Sequence, residues 1–285
     1  MDLPRFARLT AAATFLLLIA GGLVTSTGSG LAVPDWPLSY GKFFPPMVGG
    51  IFFEHGHRMI AGVVAILIAI LAITLRRREP RRWVRRLGYA AVLGVVMQAL
   101  LGGLTVLLLL PAPISIAHAC LGQTVFCLIV SIALVTSRAW DAIPSASLPD
   151  ARLFARCLTL TVLLFAQLIL GAIIRHAGRA VLSHIIGAGV ILGMTGMLWW
   201  RLRSQPGSAG LVRRLAGTMV GLVLVQMTLG MLTLWSGQRV ALATAHVAVG
   251  AVLLASSCVL TWIVGASSRL LGTSKDAIAA GSLSV

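Results

Sequence analysis

Residues 87–110 read LGYAAVLGVVMQALLGGLTVLLLL, a run with no charged side chain. A helix of this length rises about 1.5 Å per residue and so covers the roughly 30 Å hydrocarbon core of a bilayer. Outward from it, seven further apolar runs of similar length lie at 9–27, 56–75, 115–137, 153–174, 181–200, 211–235 and 240–265. The breaks between runs are chemically plain: 76–86 with Pro80, 111–113 with two prolines, 141–150 with two more, and 204–210 with Pro206. A bilayer interior cannot satisfy a bare backbone, so each run must be a helix. Composition agrees. With 58% hydrophobic and 11% charged residues, the chain is too apolar for a soluble domain or a disordered segment. Four cysteines in 285 residues exclude a disulfide-stapled scaffold. All four (Cys120, Cys127, Cys157, Cys258) fall inside apolar runs and read as packing residues.

The net charge of +16 would suit a nucleic-acid partner, but its placement says otherwise. Of 23 Lys and Arg, 18 fall in the N-terminal segment, the second, fourth and sixth loops and the C-terminal segment. The odd loops hold Lys42, Arg175, Arg179 and Arg239, and Arg58 sits at a helix mouth. Basic residues stay cytoplasmic, so both termini are expected inside and no nucleic acid is expected as a partner.

Within the quoted run, Gln98-x3-Gly102-x-Leu104-Thr105 recurs as Gln226-x3-Gly230-x-Leu232-Thr233, an offset of 128. His118-x3-Gly122 recurs as His246-x3-Gly250 at the same offset, and His57 with Ala61-Gly62-Val63 as His184 with Ala188-Gly189-Val190 at 127. Gly21 and Gly28 match Gly171 and Gly178 at 150. The first span, which follows Arg5 and Arg8 as a signal peptide would, therefore has a partner in the fifth and reads as a retained helix. The expected fold is an all-α membrane protein of eight transmembrane helices in two pseudo-symmetric four-helix bundles. We expect the N-terminal bundle at 1–137, a cytoplasmic linker at 138–150, the C-terminal bundle at 151–268 and a cytoplasmic tail at 269–285. The halves differ in one outer loop, 28–53, which is long, aromatic and proline-rich; its counterpart is short, which points to different jobs for the two halves.

Four of the six histidines survive the repeat: His57, His118, His184 and His246, each at the outer end of an even span. A single histidine in a membrane helix is commonly a hydrogen-bonded core residue. Four at equivalent depth also suit two bis-histidine haem sites, one per half. Gly122 and Gly250, one turn below His118 and His246, would leave room for a flat macrocycle or serve helix packing. His55 and His176 do not repeat and read as interfacial. Glu54 precedes His57 by three residues where the second half has Val181. A carboxylate beside an iron ligand at an apolar helix mouth suggests function, and favouring the helix dipole is the plainer alternative. Gln98 and Gln226 read as interhelical hydrogen-bonding amides. Arg58, Arg175, Arg179 and Arg239 lie where haem propionates could emerge.

The run TGSG at 27–30, then Pro34-Asp35-Trp36-Pro37-Leu38, Pro45-Pro46-Met47 and Glu54-x-x-His57-Arg58, resembles the haem A synthase family. The resemblance covers nearly the whole chain. It implies oxidation of the methyl at porphyrin carbon 8 of haem O to the formyl group of haem A by successive hydroxylations, in a bacterial-type cell membrane with haem sites toward the outer face. It assigns His57 and His118 to the substrate or product haem, Glu54 to catalysis, and His184 and His246 to a haem b cofactor. A haem O synthase would be the delivery partner. Many members carry a cysteine pair in the first outer loop; Val33 and Ser39 stand there here, so packing of Trp36, Tyr40, Phe43 and Phe44 is expected to hold the loop. A dihaem b-type electron carrier or a haem transfer protein would use the same histidines.

Overall fold

The computed structural model describes residues 2–141, 151–203 and 210–281. Among these every regular element is a helix: α1 (Leu3–Ser26), α2 (Gly49–Arg78), α3 (Arg82–Leu107), α4 (Ala112–Val135), the single turn α5 (Arg138–Asp141), α6 (Ala151–Ala177), α7 (Val181–Arg203), α8 (Gly210–Trp235) and α9 (Val240–Gly281). All except α5 are long and apolar enough to cross a membrane.

Helix ends follow local chemistry. Gly28 takes φ +68° after α1, letting Ser29 N–H return to the Val24 carbonyl at 2.9 Å and close the last turn. Gly178 repeats this conformation after α6 at φ +66°. Two boundaries differ from the sequence expectation. α2 begins at Gly49, inside the segment 28–53 read as loop, with Val48 extended before it and Gly49 at φ +52° turning the chain into the helix. α9 continues past 269, where a tail was expected, through residues that contain no proline and several good helix formers. Most of the expected linker, 142–150, lies outside the described residues.

α1 and α3 each pack on α2 and α4, and α6 and α8 each pack on α7 and α9; α1 and α4 meet α9, and α4 meets α6. Val64, Ile68, Leu71 and Leu75 form one buried stripe of α2 against Val84 and Ala91 of α3 and Ile129 and Ile132 of α4. A second core gathers Leu160, Ile191, Met219 and Leu260. Lipid solvates apolar side chains as well as a core does, so close approach rather than hydrophobic drive holds such helices together. Gly88 illustrates this: a Cβ there would lie 2.9 Å from Leu75 Cδ1 and 3.5 Å from the Ala72 backbone. Between the two cores, Trp262 Nε1 donates to Ser131 Oγ at 3.0 Å and stacks on Trp83. The Cys127 and Cys258 thiols meet across α4 and α9, and all four cysteines are free.

Candidate functional site

Each repeated histidine lies within the first nine residues of its helix, and each ring rests on a glycine of the preceding helix. A Cβ added at Gly21 would lie 3.1 Å from His57 Cε1; at Gly102, 3.0 Å from His118; at Gly171, 3.2 Å from His184; and at Gly230, 3.0 Å from His246. One turn before each glycine, a backbone carbonyl faces the ring: Leu17, Gln98, Gln167 and Gln226 respectively. In His246 the contact is a hydrogen bond, with Nδ1 3.1 Å from the Gln226 carbonyl. In the other three, Nδ1 is sealed from solvent without meeting hydrogen-bond geometry, although the residues as wholes are half-buried. The solvent-reaching part of each of those rings is therefore not Nδ1. An Nδ1–H aimed at a carbonyl leaves the Nε2 lone pair for another partner, the usual second-sphere arrangement of a ligating imidazole; in His246 that nitrogen faces the Gln226 amide at 3.3 Å.

The His184 and His246 ring centroids are 6.4 Å apart. Two metal–imidazole bonds of about 2 Å, with each ring centre roughly 1 Å beyond its nitrogen, separate axial ligand rings by about 6 Å. The spacing thus suits one iron between the rings. Among the described residues no group of three or more His, Cys, Asp or Glu could hold a bare metal ion. A metal held here would bring its equatorial ligands with it, as a haem does. His57 and His118 lie within electrostatic range of each other in the first ring of helices.

The glutamines form part of the same unit. Gln98 Nε2 donates to the His118 carbonyl at 2.9 Å, and Gln167 Nε2 to the His184 carbonyl at 2.6 Å. Gln226 Nε2 lies 3.3 Å from His246 Nε2. The space beside Gly122 and Gly250, read from sequence as room for a macrocycle, is occupied by the Gln98 and Gln226 amides: a Cβ at either glycine would meet the amide nitrogen at 3.0 Å. The Oε1 atoms of Gln98 and Gln226 are buried without partners. Gln167 was missed in the sequence, although Gln167-x3-Gly171 repeats the spacing of Gln98-x3-Gly102; Leu17 breaks the pattern in the first helix.

The long loop is tied to α2 by polar groups. Glu54 is buried; its Oε2 accepts the Val33 N–H at 2.8 Å and its Oε1 pairs with Arg58 Nη2 at 2.6 Å. Arg58 Nη1 donates to the carbonyls of Asp35 and Leu38, both at 2.8 Å. Glu54 lies in the second turn of α2, with no acidic residue in the first, so a dipole role does not explain it. The Arg58 side chain staples the loop to the helix and does not stand free for a propionate. His55, expected at the interface, is buried with Nδ1 2.8 Å from Ser39 Oγ and with Nε2 unpartnered. Asp35 turns the loop, accepting the Tyr40 and Gly41 N–H groups at 2.6 and 2.8 Å. Those amides, Gly41 foremost, hold its carboxyl below the ordinary carboxylate value. Trp36 lies over Gly103, where a Cβ would be 2.6 Å from its ring, and the Tyr40 hydroxyl donates to the Ala32 carbonyl. Phe43 and Phe44, expected to pack, are instead 78% and 81% exposed. Arg175 reaches the Thr25 carbonyl and the Gln238 side chain, while Arg179 and Arg239 are exposed.

Residues 48–183 match a family described as cytochrome oxidase assembly protein. A protein of Symbiobacterium thermophilum described as Heme A synthase is 30% identical over 224 residues, 67% of this chain and 72% of the relative. One from Halalkalibacterium halodurans with the same description is 28% identical over 79% of this chain and 74% of its own. A third, from Bacillus pumilus, is 40% identical over 94 residues. There, as in other relatives matched over short stretches, the chain spans about a third of the relative's length.

Proposed function

The chain belongs to the haem A synthase family of cytochrome oxidase assembly proteins, and from that premise we propose that it oxidises the C8 methyl of haem O to the formyl group of haem A. The carrying observation is the fourfold unit of carbonyl, glycine and histidine, with one histidine pair at bis-imidazole spacing. His57 and His118 hold the substrate haem in an N-terminal bundle covering 1–137. His184 and His246 hold a haem b in a C-terminal bundle covering 151–268. Bound there, haem b supplies one-electron redox capacity. The two bundles are pseudo-symmetric about an axis along the membrane normal, both termini are cytoplasmic and the haem sites face outward. This orientation rests on the charge bias.

This chain's own residues divide the remaining work. The glycines seat the imidazoles, the facing carbonyls fix which ring nitrogen ligates, and the glutamines fix the ligand helices across the hairpins. Glu54 occurs only in the half with the long loop. Two donors, the Val33 N–H and Arg58 Nη2, fix the positions of its carboxylate oxygens. Its role is to hold the loop over the substrate edge and to offset positive charge that develops as electrons leave the methyl carbon. Arg179 and Arg239, both exposed, are the candidates for propionate contacts, and Arg175 would have to leave the Thr25 carbonyl or the Gln238 side chain to make one.

A dihaem electron carrier working across the membrane needs haems near both faces, whereas these histidines all sit at like ends of their helices. The deciding experiment is haem analysis of membranes that contain the protein beside a haem O synthase. Wild type should accumulate haem A. Glu54→Gln, nearly isosteric, should retain haem b but accumulate haem O or a hydroxylated product. Absence of haem A with the wild-type chain would overturn the proposed activity. Near-normal haem A with Glu54→Gln would remove Glu54 from the chemistry.

A further inference from the structure

At the other end of the first ring of helices, α2 stops and α3 starts around an open cavity of about 400 Å³. It is lined by Arg76, Arg82, Arg85, Arg86 and Tyr89. Arg76 follows His57 by 19 residues on α2, so the cavity lies about 28 Å from the histidines and belongs to no haem site. Arg82, Arg85, Arg86 and Tyr89 are one helix face at i, i+3, i+4 and i+7, and Arg76 reaches in from the last turn of α2. No carboxylate lines this space. Glu79, the acid between the two helices, is buried and taken by Arg81, whose Nε and Nη2 approach its oxygens at 2.6 and 2.9 Å. That pairing holds the Glu79 carboxyl below its ordinary range.

Such crowding is unfavourable by itself. The first turn of α3 contains no acid and has no side-chain cap, so the positive end of the helix dipole adds to the like charges. Membrane topology requires basic residues at this end but not in a concavity; Arg8 and Arg77 are exposed outside it. The same face of α3 continues from Tyr89 through Leu93, Val96 and Leu100, all exposed and spaced as an apolar stripe. Trp83, partly exposed at the same level, is the type of side chain that sits at headgroup depth.

We propose that this cavity binds the phosphate of an anionic phospholipid, with the acyl chains lying along the α3 stripe. Planar guanidiniums fork onto phosphate oxygens, and basic pockets at helix ends recognise such headgroups. The stripe favours a lipid over free phosphate, since a soluble anion has nothing to place on it.

The test uses the full chain in neutral detergent, titrated separately with phosphatidylglycerol, phosphatidylcholine and inorganic phosphate. Bound ligand per protein is read by native mass spectrometry. Phosphatidylglycerol should saturate a single tight site that phosphatidylcholine does not fill. The double variant Arg85→Gln/Arg86→Gln should weaken it roughly thirtyfold, since each near-surface arginine contributes about fivefold. The control double Arg8→Gln/Arg77→Gln removes equal charge outside the cavity and should change affinity little. Unfolding midpoints in lipid-free detergent should agree for all variants. The lysine double Arg85→Lys/Arg86→Lys keeps charge without the fork and should fall between wild type and the glutamine double. Equal losses in the two glutamine doubles, or equal binding of phosphatidylcholine, would overturn the site. Inorganic phosphate filling it at the lipid's affinity would overturn the lipid assignment.

Discussion

Alanine at Gly230 places a methyl group where the structure has His246. The added Cβ lies 3.0 Å from His246 Cε1 and 3.4 Å from Nδ1, against an ordinary carbon contact of about 3.5–4.0 Å. The ring must tilt or slide by several tenths of an ångström. An imidazole pushed about 30° off its rotamer costs about 1 kcal/mol. Losing the Nδ1 bond to the Gln226 carbonyl costs about another 1 kcal/mol. Together these weaken haem retention by about thirtyfold, taking tenfold per 1.4 kcal/mol. The protein itself should not suffer, because alanine is the better helix former by up to about 1 kcal/mol. Haem dissociation is followed by difference absorbance on purified protein, with unfolding followed separately. Gly221→Ala is the control: it lies on the same helix with nothing within 4 Å of the added Cβ. Gly102→Ala should act in the same way on the His118 site, where the approach is also 3.0 Å. If Gly230→Ala holds haem as tightly as wild type and Gly221→Ala, the glycine does not seat a ligand and the fourfold unit has another purpose.

The two halves should fail differently. His184→Ala or His246→Ala should remove a low-spin haem b signal, whereas His57→Ala or His118→Ala should keep that signal and abolish haem A formation; equal loss of a single haem in all four would refute two sites. Asp35 sets a pH dependence with a definite sign. Its folded pKa lies below its ordinary 3.8, so its contribution to loop order is complete above that value and is lost as pH falls through the folded pKa. Trp36 fluorescence should therefore hold steady from neutral pH to about 4 and change only below. Asp35→Asn should remove that acid transition, and a transition near pH 6 in wild type would contradict the assignment. Reporter fusions at Arg82 and Asp141 should read cytoplasmic and fusions at Phe43 and Gln238 exterior, and an exterior signal at Arg82 would reverse the orientation.

The helices were legible because lipid leaves the backbone one choice and because Pro80 and Pro111 mark breaks that a helix cannot ignore. The histidines were legible because they recur at offsets of 127 and 128 in similar sequence surroundings. Contacts between segments far apart in sequence were not. Nothing in the chain says that Arg58 turns back to the carbonyls of Asp35 and Leu38, because a carbonyl acceptor has no side-chain signature. The burial of His55 depends on Ser39, sixteen residues away through an irregular loop. Phe43 and Phe44 misled for the converse reason: an aromatic side chain beside a membrane need not be buried in protein to be solvated. The role of Gly102 and Gly230 was half legible. Their spacing was visible, but only the fold shows a histidine ring lying against each.

The places where the repeat fails are concentrated in one half, and they form a single cluster. Leu17 stands where Gln167 gives the other half a hydrogen bond to the carbonyl of its ligand histidine. The helix that carries His57 therefore lacks the glutamine contact found at the other three histidines, which goes to the backbone carbonyls of His118 and His184 and to the ring of His246. That same helix carries Glu54, His55 and Arg58 within one turn of His57, all three bonded to the long loop. Beside its packing on α1 and α3, this helix is therefore held by the long loop where its counterpart is held by a glutamine. A glutamine pinned between two packed helices cannot move without breaking them apart. A loop can, because its ties to α2 are side-chain hydrogen bonds rather than helix packing, and its tip carries exposed aromatic rings. A resident cofactor calls for the first arrangement; a haem that enters as substrate and leaves as product calls for the second. Under the proposed function, this asymmetry fits exchange of the substrate haem in the half that carries His57 and His118, and retention of a cofactor in the half that carries His184 and His246.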